Sequence, residues 1–150
     1  MRAYEKAKEL LVSIDDVDFE GAKSNDLVTL AETALGIRFP PSYRRFLVEF
    51  GCGSVNAHEI YGVISTDFEH SGIPDAVWCT LRDRATVGMN KRFVVIGTDF
   101  DGSRICIDLG DCDENGEAGI VTLSMDGKTR QRIAPTFGHY FLDCARDDES

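Results

Sequence analysis

Leu35-Gly36-Ile37-Arg38-Phe39-Pro40-Pro41-Ser42-Tyr43-Arg44-Arg45-Phe46-Leu47-Val48-Glu49-Phe50-Gly51-Cys52-Gly53 carries the densest structural punctuation in this 150-residue chain. Upstream of it, Leu27, Leu30, Ala31, Ala34 and Leu35 keep helical spacing, and Gly36 supplies the left-handed residue that closes such a helix. The proline pair then turns the chain. Pro41 fits the first turn of a new helix, because its missing N–H would have no intrahelical partner there. Tyr43, Phe46, Leu47 and Phe50 recur at i, i+3, i+4 and i+7, so one face of that helix is aromatic and buried. Gly51 ends it.

Working outward, Ala7, Leu10, Leu11 and Ile14 share one side of a short helix over 4–12, followed by an acidic loop. Ser24, Asn25 and Asp26 offer N-cap chemistry for the second helix. After Gly53 the pattern changes to a strand rich in β-formers over 59–64. Ile73-Pro74 opens a further helix with Val77, Trp78 and Leu81 on one face. Phe93-Val94-Val95-Ile96 is a continuous apolar run, as in a central strand covered on both sides. Asp101-Gly102 turns it into the alternating strand Arg104-Ile105-Cys106-Ile107-Asp108-Leu109, a strong hairpin signal. A strand over 119–125 turns at Asp126-Gly127 into another over 129–133. Pro135 starts a last helix carrying Phe137, Tyr140, Phe141 and Cys144 at helical spacing. Runs of helices segregated from runs of antiparallel strands predict an α+β fold, helices packed against a mixed or mostly antiparallel sheet. No repeat or linker divides the chain, so residues 1–150 form a single domain, with 147–150 a frayed acidic tail.

The formal net charge of −10 argues against direct contact with nucleic acid, where phosphates require clustered Lys and Arg. It suits a basic protein partner, which an acidic face would steer in diffusional encounter. Between residues 99 and 119 the acids Asp99, Asp101, Asp108, Asp111, Asp113, Glu114 and Glu117 face Arg104 alone. A second cluster, Asp15, Asp16, Asp18 and Glu20, follows the first helix. Loops between strands carry most recognition, so Asp99, Asp101, Asp111, Asp113, Glu114 and Glu117 are the expected partner-binding residues. The same residues also suit a solvated acidic turn. An odd number of scattered cysteines, Cys52, Cys79, Cys106, Cys112 and Cys144, reads as reduced thiols in a cytoplasm. No run of about 18 apolar residues spans a membrane, and the charged N-terminus has no signal-peptide core.

Reactive chemistry finds little footing. Asp111-Cys112-Asp113-Glu114-Asn115-Gly116 matches the first half of an EF-hand loop, but Thr122 stands where the bidentate glutamate belongs. A polar turn between strands explains it better. Cys52 with His58 or His139 would make a thiol hydrolase only if its thiolate formed, and a helix C-terminus disfavours that. Cys106 and Cys112 are too far apart for a zinc knuckle, and no nucleotide or hydrolase motif occurs. No catalytic residue, metal site or cofactor is expected.

Glu32 with Leu35-Gly36, then Pro40, Tyr43, Phe46, Leu47, Gly51 and Gly53, then Ile60-Tyr61-Gly62, resembles the SUKH superfamily. Phe93 to Gly97, Ile105-Cys106-Ile107-Asp108-Leu109, and Ala134-Pro135-Thr136-Phe137 with Phe141-Leu142 extend the likeness to most of the chain. One departure is the turn after Phe100, where Asp101-Gly102-Ser103 stands in place of the extra glycines of many relatives. That superfamily holds Smi/Knr-type proteins and many bacterial immunity proteins. The resemblance implies protein binding without chemistry: an immunity protein that neutralises a cognate toxin domain, often a nuclease, or alternatively a regulatory scaffold module. A homodimer through an edge strand or helix face is compatible with either.

Overall fold

In the computed structural model, which describes residues 1–146, five helices and seven strands follow in the order α1 (Arg2–Leu11), β1 (Val17–Phe19), α2 (Asn25–Leu35), α3 (Pro41–Phe50), β2 (Gly53–Val55), β3 (His58–Ile60), α4 (Ala76–Thr86), β4 (Phe93–Thr98), β5 (Arg104–Cys112), β6 (Ala118–Leu123), β7 (Arg130–Ala134) and α5 (Phe137–Arg146). The tail expected over 147–150 lies outside the described residues. The strands form an antiparallel three-stranded sheet, β1-β2-β3, and an antiparallel four-stranded meander, β4-β5-β6-β7. This is the α+β arrangement that the segregated pattern predicts.

The meander is covered on both faces where β4 and β5 lie. Val94, Ile96, Ile105, Ile107 and Ile120 point into the main core with Tyr4, Tyr43, Phe46, Phe137 and Phe141 of the helices. The alternate residues Phe93, Val95, Cys106, Val121 and Leu123 form a second layer against Ala76 and Cys79 of α4. The period of two places neighbouring residues on opposite faces, which is why the Phe93–Ile96 run is apolar throughout. Tyr43, Phe46 and Leu47 are fully buried, as the spacing on α3 predicts, whereas Phe50 at the end of the stripe is half-buried. Phe46 meets Phe137 and Phe141 at ring-centroid distances of 5.2 and 5.4 Å, tying α3 to α5. The Tyr43 hydroxyl donates to the Tyr61 carbonyl at 2.8 Å, so its polar tip is satisfied inside the core.

Two local features hold the punctuated segment. Gly36 takes φ 70°, and its N–H bonds back to the Glu32 and Thr33 carbonyls. The Glu32 carboxylate then accepts from the Phe39 N–H and the Arg44 guanidinium, both at 2.8 Å, bracing the α2–α3 corner. Gly62 allows a backbone crossing: a Cβ there would lie 1.7 Å from the Gly51 carbonyl oxygen.

Several expectations are corrected. The strand expected over 59–64 ends at Ile60. Beyond it Tyr61 donates to the Ile96 carbonyl and joins the two sheets, and Gly62 bridges to Asp75. β1 and β2, three residues each, arise where a loop and a turn are expected, because so short a strand shows no period. α4 opens at Ala76 rather than at Ile73-Pro74, since Asp75 is the N-cap and its Oδ1 accepts from the Val77 and Trp78 amides. Its fully buried residues are Ala76, Val77, Cys79, Thr80 and Asp83, whereas Trp78 and Leu81 are only half-buried. Thr80 Oγ1 accepts from the Val95 amide at 2.9 Å, and Asp83 takes the Arg104 guanidinium at 2.8 and 3.1 Å.

Candidate functional site

The six expected binding acids do not form one surface. β5 is nine residues long, and successive antiparallel turns lie at opposite ends of it, roughly 25–30 Å apart at about 3.4 Å per residue. Asp99 and Asp101 sit at one end, in the β4–β5 turn. There Asp99 Oδ1 accepts from the Phe100 amide and Asp101 Oδ1 from the Ser103 amide. The bond from Ser103 holds the Asp101 carboxyl below the usual range. Gly102, at φ 87°, and the Asp99–Ser103 backbone bond close this hairpin without extra glycines.

The other four acids lie at the far end and divide by role. Asp111 pairs with Arg132 at 3.1 Å. Asp113 Oδ1 accepts from the Asn115 and Glu117 amides and shapes the β5–β6 turn, in which Gly116 has φ 81°. These bonds make the EF-hand-like stretch a self-contained polar turn. Glu114 is exposed.

Glu117 is not a surface residue, and its assignment to partner binding is corrected. It is buried, with Oε2 accepting from the Ser42 amide at 3.0 Å and Oε1 from the Ser42 hydroxyl at 2.8 Å. α3 has Pro40 at its N-cap and no side-chain cap of its own. Glu117 supplies one from the meander, placing negative charge at the positive end of the helix dipole. Asp108 is also internal, held by Arg92 at 2.6 and 3.0 Å and by Arg130 at 3.4 Å.

The structure assembles a different acidic site around Asp99. A groove of about 460 Å³ runs between the β2–β3 turn and the β4–β5 turn. Asn56, Ala57, His58 and Glu59 make one wall, Thr98, Asp99 and Phe100 the other, and Tyr61, Ile105 and Tyr140 the lining between them. It continues past His58, Asp99 and Tyr140 to Ile133, Asp143 and Arg146. On the other side Glu59 shares a second hollow with Asp18 and Glu20, because Asp18, Ser54 and Glu59 are cross-strand neighbours. Glu59 therefore borders both hollows, with Asp99 on one and Asp18 and Glu20 on the other.

The groove is braced. Asn56 and Ala57 both have positive φ, the requirement of a tight two-residue hairpin turn. Asn56 Nδ2 donates to the Cys144 and Ala145 carbonyls at 2.9 and 3.2 Å, pinning that turn to the end of α5. The Tyr61 and Thr98 hydroxyls are 2.9 Å apart across the sheet junction. Phe100 has no such anchorage and is fully exposed. Sequence reasoning takes Asp99 and Asp101 but passes over Phe100, although an aromatic residue between two aspartates in a turn is itself the signal.

Burial works against thiolate formation at Cys52, Cys79, Cys106 and Cys112. Burial, reinforced by Glu20, pushes the Cys52 thiol up to about 11; burial also takes Cys79 to about 11 and Cys106 to about 12. Burial and the nearby Asp113, Asp108 and Asp111 raise Cys112 as well. Among the described residues no helix is long and apolar enough to cross a membrane.

No curated protein matches the chain. The family described as SMI1-KNR4 cell-wall, SUKH_5, matches it over residues 5–146, from the first turn of α1 to the last residue of α5. That span takes in the glutamate-braced corner, the aromatic helix, both sheets and the closing helix, and the chain accordingly belongs to the SMI1-KNR4 family of the SUKH superfamily.

Proposed function

We propose that this chain is an immunity protein of a bacterial toxin–immunity system, acting in the cytoplasm. It binds a cognate toxin domain, of which a basic nuclease is the best fit, and neutralises it by occlusion or by an exosite contact that keeps substrate out. The action is stoichiometric binding, with no catalytic step, metal or cofactor, and no direct grip on nucleic acid. Family membership points to protein–protein interaction as the class of work. The observation that carries the reading further is the braced groove bordered by Glu59, Asp99 and Asp143 on a chain of net charge −10. A pre-formed surface loses little entropy on binding, and its negative field accelerates encounter with a cationic partner. An interface of ordinary size would bury about 1,200–2,000 Å² in total.

Co-expression tests this directly. Cells producing the toxin domain encoded beside this gene should survive when the chain is present and die when it is absent. Purified together, the two should elute as one complex. Survival unaffected by the chain, with no complex, would leave the regulatory-module reading of the Smi/Knr type in its place.

A further inference from the structure

We infer that the groove between Phe100 and the β2–β3 turn is where the partner docks, and that it receives a Lys/Arg-rich segment presenting one large apolar side chain. The inference rests on the immunity reading and specifies the surface and the chemistry of its occupant. Phe100 is the starting point. Its ring is fully exposed at the tip of a tight turn, so folding gains nothing from it. A large aromatic contributes strongly once a partner covers it, and such residues dominate interface energetics.

The surroundings select the occupant. Ile105, Tyr61 and Tyr140 give the groove an apolar lining, and Ile133, also exposed, extends it. An apolar side chain lying there would be held between the Phe100 ring and Ala57 of the opposite wall. Exposed acids border this seat on several sides: Glu59 on β3, Asp99 and Asp101 on the turn, and Asp143 on α5. The cations among the lining residues are Arg146 and, when protonated, His58. Charge complementarity therefore calls for Lys or Arg on either side of the apolar residue. Nucleic acid and anionic membrane are repelled by the same border.

The far end of the meander makes a poor rival. Asp111 is paired with Arg132 and Glu117 is buried under α3, and beside the exposed Asp113 and Glu114 no large apolar side chain is exposed among the described residues. Around Asp99, by contrast, exposed apolar surface and exposed acid coincide.

The test uses the full chain and, as probe, the catalytically inactivated toxin domain encoded beside its gene, with binding kinetics at about 50 and 200 mM salt. Phe100→Ala should weaken binding by about 30-fold or more, mainly through faster dissociation. Phe100→Leu should restore most of that loss. Asp99→Asn with Asp101→Asn keeps the turn's amide acceptors, and should slow association and flatten its salt dependence. Asp113→Asn with Glu114→Gln, at the other end, should change neither rate. Thermal melting of Phe100→Ala should match the parent, because the ring packs against nothing. If the parent chain itself fails to bind the toxin, the immunity reading falls and this inference with it. If it binds and Phe100→Ala stays within about twofold, the immunity reading stands and the groove is overturned. A parent chain that sediments as a dimer, with Phe100→Ala a monomer, would assign the groove to a second copy and also overturn it.

Discussion

Glu117 shows how one carboxylate changes meaning with burial. In the sequence it closes an acidic run, whereas in the fold both of its oxygens are engaged by Ser42 at the start of α3. Removing it leaves the Ser42 amide and hydroxyl without their acceptor in a dry site, a loss in the upper range for buried charged hydrogen bonds. Glu117→Ala should therefore destabilise the chain by about 2–4 kcal/mol. Glu117→Gln, which keeps one acceptor oxygen, should lose about half of that. Urea unfolding followed by circular dichroism measures both, and a change below about 0.5 kcal/mol for Glu117→Ala would mean that the cap contributes nothing. The clue available beforehand was indirect: a helix beginning Pro40-Pro41 has no side-chain cap and must borrow an acceptor.

At the scale of elements, α3 is legible throughout, whereas for α4 the helix is legible but its buried face is not, for one physical reason. Tyr43, Phe46, Leu47 and Phe50 make an apolar stripe that only a helix can align. The buried face of α4 contains Thr80 and Asp83, which are inside because β4 and Arg104 satisfy them, and no hydrophobic period announces such a face. The entry to α4 has a pH signature. Burial raises the Asp75 carboxyl above its ordinary value while its Oδ1 caps the helix. A carboxyl raised by folding adds stability below its unfolded value near 3.9, and that contribution is lost as pH rises through the folded value. Asp75→Asn retains the capping oxygen and cannot ionise. Its melting temperature relative to the parent should thus be highest near pH 8 and should fall as the pH drops toward 4. A difference constant across that range would show that the buried charge has no influence. The placing of the expected binding acids belongs to this same scale: Asp99 and Asp113 are close in sequence, but β5 separates them by its whole length, and only strand pairing reveals it.

Across the whole molecule, two layers of apolar side chains enclose the meander, and the small sheet and α5 build the acidic groove beside it. The order of elements was readable because each long element has its own period and its own stop. The groove was not, since its walls come from segments about 40 residues apart in sequence, brought together by the Tyr61–Ile96 bond. The meander's outer strand, β7, meets solvent with Arg130 and Arg132 on the face opposite the main core, which discourages edge-to-edge pairing of copies. A consequence also follows for how the chain comes apart. The Ser42 hydroxyl donates to Glu117 and accepts from the Gly138 amide at 3.2 Å, so one buried knot joins the starts of α3 and α5 to the approach to β6. No fraying of a single segment can open it. In native-state hydrogen exchange the Gly138 amide should consequently belong to the slowest class, released only through global unfolding, although it lies in the first turn of its helix, where amides ordinarily exchange early.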